Sequence, residues 1–143
     1  MELIRKLWRL SAADRALLFR TALWLVATRL ALWLLPLRVV RRLLARAARP
    51  TSDAGLTTER IAWALSVARR VVPQATCLPQ ALAAEALLTW SGHPADLRIG
   101  VIKTDRGRLV AHAWVESGGR IVVGGLRDLT RFTCLPPLPG ARV

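Results

Sequence analysis

Leucine, alanine and tryptophan crowd the first third of the chain, where Ala12 to about Leu35 is apolar on most sides and interrupted only by Arg20 and Arg29. This pattern predicts a helix, and Ser11 followed by Asp14 resembles the opening of a capping box with Asp in place of Glu. The uncharged runs within it, Thr21–Thr28 and Leu30–Leu37, are eight residues each. A spanning helix needs roughly 20 mostly apolar residues, and a central Arg costs at least about 2.5 kcal/mol on insertion. The segment is therefore not read as a membrane span. A helix apolar on most sides is buried or docked on a partner. Pro36 breaks it, and Arg38–Arg49 continues as a basic helical segment. The turn-rich stretch Pro50–Gly55 is the best internal boundary.

Beyond that boundary, Ile61, Leu65, Ala68 and Val72 recur at helical steps and predict a helix over Thr58–Val72, stopped by Pro73. Thr76 is placed to cap another helix from Cys77 to about Trp90, closed by Ser91-Gly92. Pro79 is tolerated there because the first helical turn has unpaired N–H groups anyway. The period then changes. Leu97, Ile99 and Val101 alternate with Arg98, Gly100 and Ile102, as in a strand. Leu109–Glu116 and Arg120–Val123 flank Gly118-Gly119, a two-residue hairpin signal that pairs Ser117 with Arg120 and sets His112 opposite Gly125. Thr133–Val143, with three prolines, reads as an irregular tail. Helices first and an antiparallel sheet after them make an α+β fold.

Length and charge refine this picture. The 143 residues suffice for one domain, with a helical segment at 1–50 that packs on the core or docks partners and a core at 56–143. The net charge is +13, and 20 of the 22 basic residues are Arg. Biased coding composition is the plainer reading of that preference, and a fork-shaped donor surface for carboxylates or phosphates is the functional one. Residues 1–50 hold 11 basic and 2 acidic groups, so the positive field comes mainly from the N-terminal third. Such a field attracts nucleic acid, anionic lipid or acidic peptide. The basic residues of the second half are dispersed and no nucleic-acid motif appears, which argues against nucleic acid as partner and leaves peripheral membrane contact open. Cys77, Cys134, His93 and His112 are scattered singly, a pattern that supports neither a disulfide framework nor a metal, and no cofactor motif is present. No secretory signal precedes them, so a reducing cytoplasm is the expected compartment.

Among these residues, Cys77 carries the clearest chemistry. A thiol at the start of a helix meets unpaired N–H groups and the positive end of the helix dipole, which favour thiolate and can later hold an oxyanion. The bland alternative is a buried core cysteine. His112, in Val110-Ala-His-Ala-Trp-Val-Glu116, is a polar residue in an apolar strand, either a core histidine satisfied by backbone or a general base for Cys77. Its competitor, His93, lies in the turn after the Cys77 helix, roughly 20 Å from the helix start. Trp114 shares the face of His112 and either walls the site or fills the core. Cys134 reads as structural or incidental, since nothing basic is patterned around it.

Together, Cys77-Leu-Pro-Gln-Ala-Leu-Ala, Gly100-Val, Ala111-His-Ala-Trp-Val-Glu116 and Gly124, with the Ser11-Ala-Ala-Asp-Arg15 opening, resemble the B-type leader peptidase of lasso-peptide biosynthesis, of transglutaminase-like fold. The resemblance implies a thiol protease in ribosomal-peptide antibiotic maturation. Its catalytic core would place Cys77 as nucleophile and His112 as base, and it would cleave leader from core in a precursor peptide before a separate ATP-dependent lasso cyclase closes the ring. It further implies the split form, in which a separate recognition protein presents the leader, since the chain begins directly with the helical segment. The family's triad adds an Asp on the strand after the His. Here that place is glycine, Gly124. Asp128 is the candidate orienting carboxylate, Asp105 and Glu116 are poorer ones, and water or a backbone carbonyl is the alternative, so the third role stays open. Acyl transfer to an amine is an alternative reading, and so is a basic helical binding or scaffold protein derived from an inactive homologue.

Overall fold

The computed structural model describes residues 1–49, 55–72 and 76–136. Five helices come first: α1 (Glu2–Trp8), α2 (Ala12–Leu34), α3 (Leu37–Ala47), α4 (Thr58–Val71) and α5 (Cys77–Trp90). The strands β1 (Asp96–Lys103), β2 (Leu109–Ser117), β3 (Arg120–Val123) and β4 (Thr133–Cys134) follow, with a 3₁₀ turn at Leu129–Arg131. The α+β expectation holds. The turn-rich joint at 50–54, the stop at Pro73 and the chain beyond Pro136 lie outside the described residues.

The start of α2 follows from its cap. The Ser11 hydroxyl accepts from the Asp14 N–H at 3.1 Å and donates to the Asp14 carboxylate at 2.8 Å. Asp14 also pairs with Arg60, which ties α2 to α4. On the inward face of α2, Leu17, Leu18 and Leu25 are buried, and so are Thr21 and Thr28. The two hydroxyls satisfy themselves within the helix, donating to the Leu17 and Trp24 carbonyls at 2.8 and 2.6 Å. On α4, Ile61, Leu65 and Ala68 are buried, and so is its C-cap Val72, the stripe their spacing predicts.

The central element is α5, which touches α2, α3, α4 and the sheet. Its alanines Ala81, Ala83, Ala84 and Ala86 and its leucines Leu82, Leu87 and Leu88 are buried. Small residues let neighbours approach on several sides at once, while each buried leucine contributes about 1.5–3 kcal/mol. Glu85 departs from this apolar surround. It meets Arg41 of α3 at 3.1 Å, and the Arg41 side chain is only 4% exposed. Burial raises the Glu85 carboxyl above its ordinary range, with Arg41 opposing the shift.

The sheet is antiparallel in the order β3-β2-β1-β4. β1 and β2 pair from Asp96↔Glu116 to Lys103↔Leu109, with Gly100 opposite His112. At the tight turn, Gly118 and Gly119 both have positive φ, as the hairpin signal required. Two features differ from the sequence expectation. Thr133–Cys134 is a short strand on β1 rather than irregular tail, held by Gly100↔Cys134 pairing and a 2.8 Å bond from the Leu135 N–H to the Ile99 carbonyl. The β2–β3 ladder also slips by one: Ser117↔Arg120 and Glu116↔Ile121 are in the expected register, but Val115 pairs with Val123. The bulge adds a residue to β3 and shifts Gly124 and Gly125 relative to His112.

Candidate active site

Cys77 opens α5. Its N-cap is Thr76, as expected, but the Thr76 side chain makes no capping bond. Pro79 has no N–H to offer, and the Gln80 N–H returns to the Thr76 carbonyl. The amides of Cys77 and Leu78 belong to the first helical turn, whose N–H groups have no partner within the helix. Cys77 is half-buried and free of disulfide.

Alternation places His112, Trp114 and Glu116 on one face of β2, while Ala113 and Val115 face the core with α5. His112 and Trp114 stack, with ring centroids 6.2 Å apart. Because β3 ends at Val123, the edge of β2 beside His112 has no strand beyond it. A cleft of about 300 Å³ opens there, lined by both Cys77 and His112. Val122 to Leu126 form one wall. Ala62, Leu65, Ser66 and Arg69 of α4 form another, and Arg69 is the one charged side chain among the described lining residues. The two sequence-predicted residues thus share one cavity.

The orientation of His112 is set by backbone. Its Nε2 lies 2.6 Å from the Gly124 carbonyl oxygen. A carbonyl only accepts, so Nε2 carries a proton and donates, and in the neutral ring this leaves Nδ1 with the lone pair a base needs. Asp128 does not fill this place. It is exposed and lies 4.0 Å from Arg131, contrary to the expectation that its carboxylate orients the imidazole. Glu116 is engaged elsewhere, accepting from the Trp114 indole N–H at 3.1 Å and facing Arg98 at 3.8 Å. Asp105, in the β1–β2 turn, is exposed and does not line the cleft.

Gly124 is glycine for two reasons. Its φ is +84°, and a Cβ there would stand 2.7 Å from the Ala113 carbonyl oxygen and 2.9 Å from the Trp114 Cβ. The position has no room for the carboxylate that the triad comparison led one to look for. Its main chain makes the contact to the imidazole in place of a side chain.

Trp114 packs as core, 3% exposed, under the imidazole rather than as a wall of the cleft. Phe132 was not singled out by the sequence. It approaches His112 with centroids 5.9 Å apart, and its Cβ would be 2.9 Å from any Cβ at Gly100. No local periodicity marks it, because its place depends on β4 docking beside β1. His93 bonds through Nε2 to the Leu56 carbonyl, bracing the far end of α5 against the approach to α4. Cys134 is exposed on β4. Among the described residues, no three His, Cys, Asp or Glu side chains gather as a metal site requires.

Residues 22–136 match the family model described as the transglutaminase-like superfamily. No curated protein and no solved structure matches the chain.

Proposed function

The chain belongs to the transglutaminase-like superfamily, and on that premise we propose that it is a cysteine peptidase that removes the leader from a ribosomally made precursor peptide of the lasso class. The observation that carries the reading is the shared cleft of Cys77 and His112, with the imidazole held by the Gly124 carbonyl so that Nδ1 is the acceptor. In this reading Nδ1 takes the Cys77 thiol proton as sulfur attacks the scissile carbonyl. The Cys77 and Leu78 amides receive the oxyanion. Collapse breaks the C–N bond, the amine leaves with the proton from His112, and a thioester joins the leader to Cys77. Water, deprotonated by Nδ1, then cleaves the thioester and restores the thiol.

A separate recognition protein presents the leader, and a separate ATP-dependent cyclase closes the ring on the freed core. The test is mass spectrometry of a candidate precursor incubated with the chain, with and without the recognition protein. Cleavage at one bond is expected, faster with the recognition protein and abolished in Cys77→Ala with unchanged helical content. Full turnover by that variant would remove the reading.

A further inference from the structure

The outward face of α2 carries a second signal. Phe19, Leu23, Val26, Leu30 and Trp33 follow one another at steps of four and three residues, with Leu34 beside them. They are 68%, 53%, 40%, 52%, 82% and 71% exposed. At 100° per residue they fill an arc of about 100°, about 22 Å long, opposite the buried face. A contiguous apolar surface of this kind is a binding surface rather than ordinary scatter.

We propose that this arc rests on an anionic lipid surface, with α2 lying in the bilayer plane. By length and composition α2 could also cross a membrane, but Leu17, Leu18, Thr21, Leu25 and Thr28 are built into the core, so it cannot span while the domain is folded. Charge decides among occupants. From Arg15 to Arg49 the chain holds eight arginines and no carboxylate. Arg41 among them is buried against Glu85, but Arg15, Arg20, Arg38, Arg42, Arg46 and Arg49 are exposed, and two copies meeting through this face would bring those like charges together. A bilayer rich in acidic headgroups supplies the opposite sign along with an apolar layer, the combination that interfacial helices use. Trp33, at the end of the arc, has the apolar ring and polar N–H suited to the headgroup boundary. Immediately beyond it, Arg38, Arg42 and Arg46 are exposed on α3.

The experiment is co-sedimentation of the full chain with phosphatidylcholine vesicles, either pure or containing a quarter phosphatidylglycerol. The chain should pellet with the anionic vesicles, less so in high salt, and far less with the neutral ones. The double variant Leu30→Ser, Trp33→Ser alters only exposed positions and should melt normally while binding about tenfold or more weakly. Arg38→Glu with Arg42→Glu should weaken binding to the anionic vesicles alone. Three results would overturn the proposal: no pelleting with anionic vesicles, undiminished binding by either double variant, or a lipid-free dimer that Leu30→Ser, Trp33→Ser dissolves. The Cys77→Ala chain should bind as the wild type does, so this inference and the peptidase reading stand or fall separately.

Discussion

Replacing Gly124 with alanine tests whether a main-chain carbonyl holds the imidazole. The backbone there has φ +84°, and the added carbon would stand 2.7 Å from the Ala113 oxygen. A left-handed conformation costs a non-glycine residue about 1–2 kcal/mol. The clash is with backbone and with the first carbon of a buried tryptophan, neither of which can swing aside, so overpacking adds about 1–3 kcal/mol. The sum, about 2–5 kcal/mol, corresponds to a fall in Tm of roughly 6–15 °C for a chain of this size. Gly119 provides the reference. Its φ is +80° with nothing within 4 Å of the added carbon, so Gly119→Ala should lose only the conformational part. Thermal melts of both variants separate the two terms. Long-range ¹H–¹⁵N spectra should show His112 protonated at Nε2 in the wild type, and a mixed tautomer once the carbonyl is displaced. Peptide turnover at a temperature where both variants are folded should fall about tenfold or more in Gly124→Ala alone. Gly124→Asp should lose stability as well and gain nothing. If Gly124→Ala melts no lower than Gly119→Ala and keeps the Nε2 proton, the argument fails.

Asp128→Asn should leave turnover within about twofold of wild type, since an exposed pair such as Asp128–Arg131 contributes little; a drop of orders of magnitude would return the orienting role to that carboxylate. Glu85→Ala, which leaves the buried Arg41 without its carboxylate, should cost about 3–5 kcal/mol in denaturant unfolding, and Glu85→Gln clearly less. Because burial raises the Glu85 carboxyl, the folded state holds that proton more tightly than the unfolded chain. Its contribution to stability therefore falls as pH rises from the ordinary carboxylate range through the raised value, and Glu85→Gln should flatten that stretch of the stability profile. Asp14 behaves in the opposite way. The Ser11 hydroxyl and then Arg60 lower its carboxyl, so its stabilisation is full above the ordinary range and fades as pH drops through the depressed value. The Tm difference between wild type and Asp14→Asn should accordingly shrink below about pH 4.

Much of the helical half was legible because its signals are local. The Ser11 cap, the spacing of Ile61, Leu65, Ala68 and Val72, and Cys77 opening a helix each depend on a few neighbouring residues. The hairpin was legible for the same reason, through Gly118-Gly119. The bulge was not: nothing in Ile121-Val-Val-Gly124 announces an extra residue, since valine suits either register. A backbone carbonyl was one of the open alternatives for the third contact to His112, but its owner could not be read because every residue possesses such an oxygen. Read by side chain, Gly124 is a gap where a carboxylate is wanted. Only its positive φ and the crowding by Ala113 and Trp114 show why glycine stands there. Phe132 and β4 were hidden because two paired residues before a proline-rich stretch generate no period, and their position depends on docking to Gly100.

The alanines of α5 set where this protein can change. Ala81, Ala83, Ala84 and Ala86 have almost no accessible surface, and every replacement except glycine adds atoms where none fit. Glycine itself costs about 1 kcal/mol in a helix interior. The helix that carries Cys77 therefore has few neutral steps open to it under drift or directed evolution. Variation can accumulate instead across the cleft, at Ala62, Ser66 and Arg69 of α4, where a new side chain alters what is accommodated without shifting the sulfur. A library randomised at those three positions explores new peptides, whereas one randomised along the buried side of α5 mostly explores unfolding.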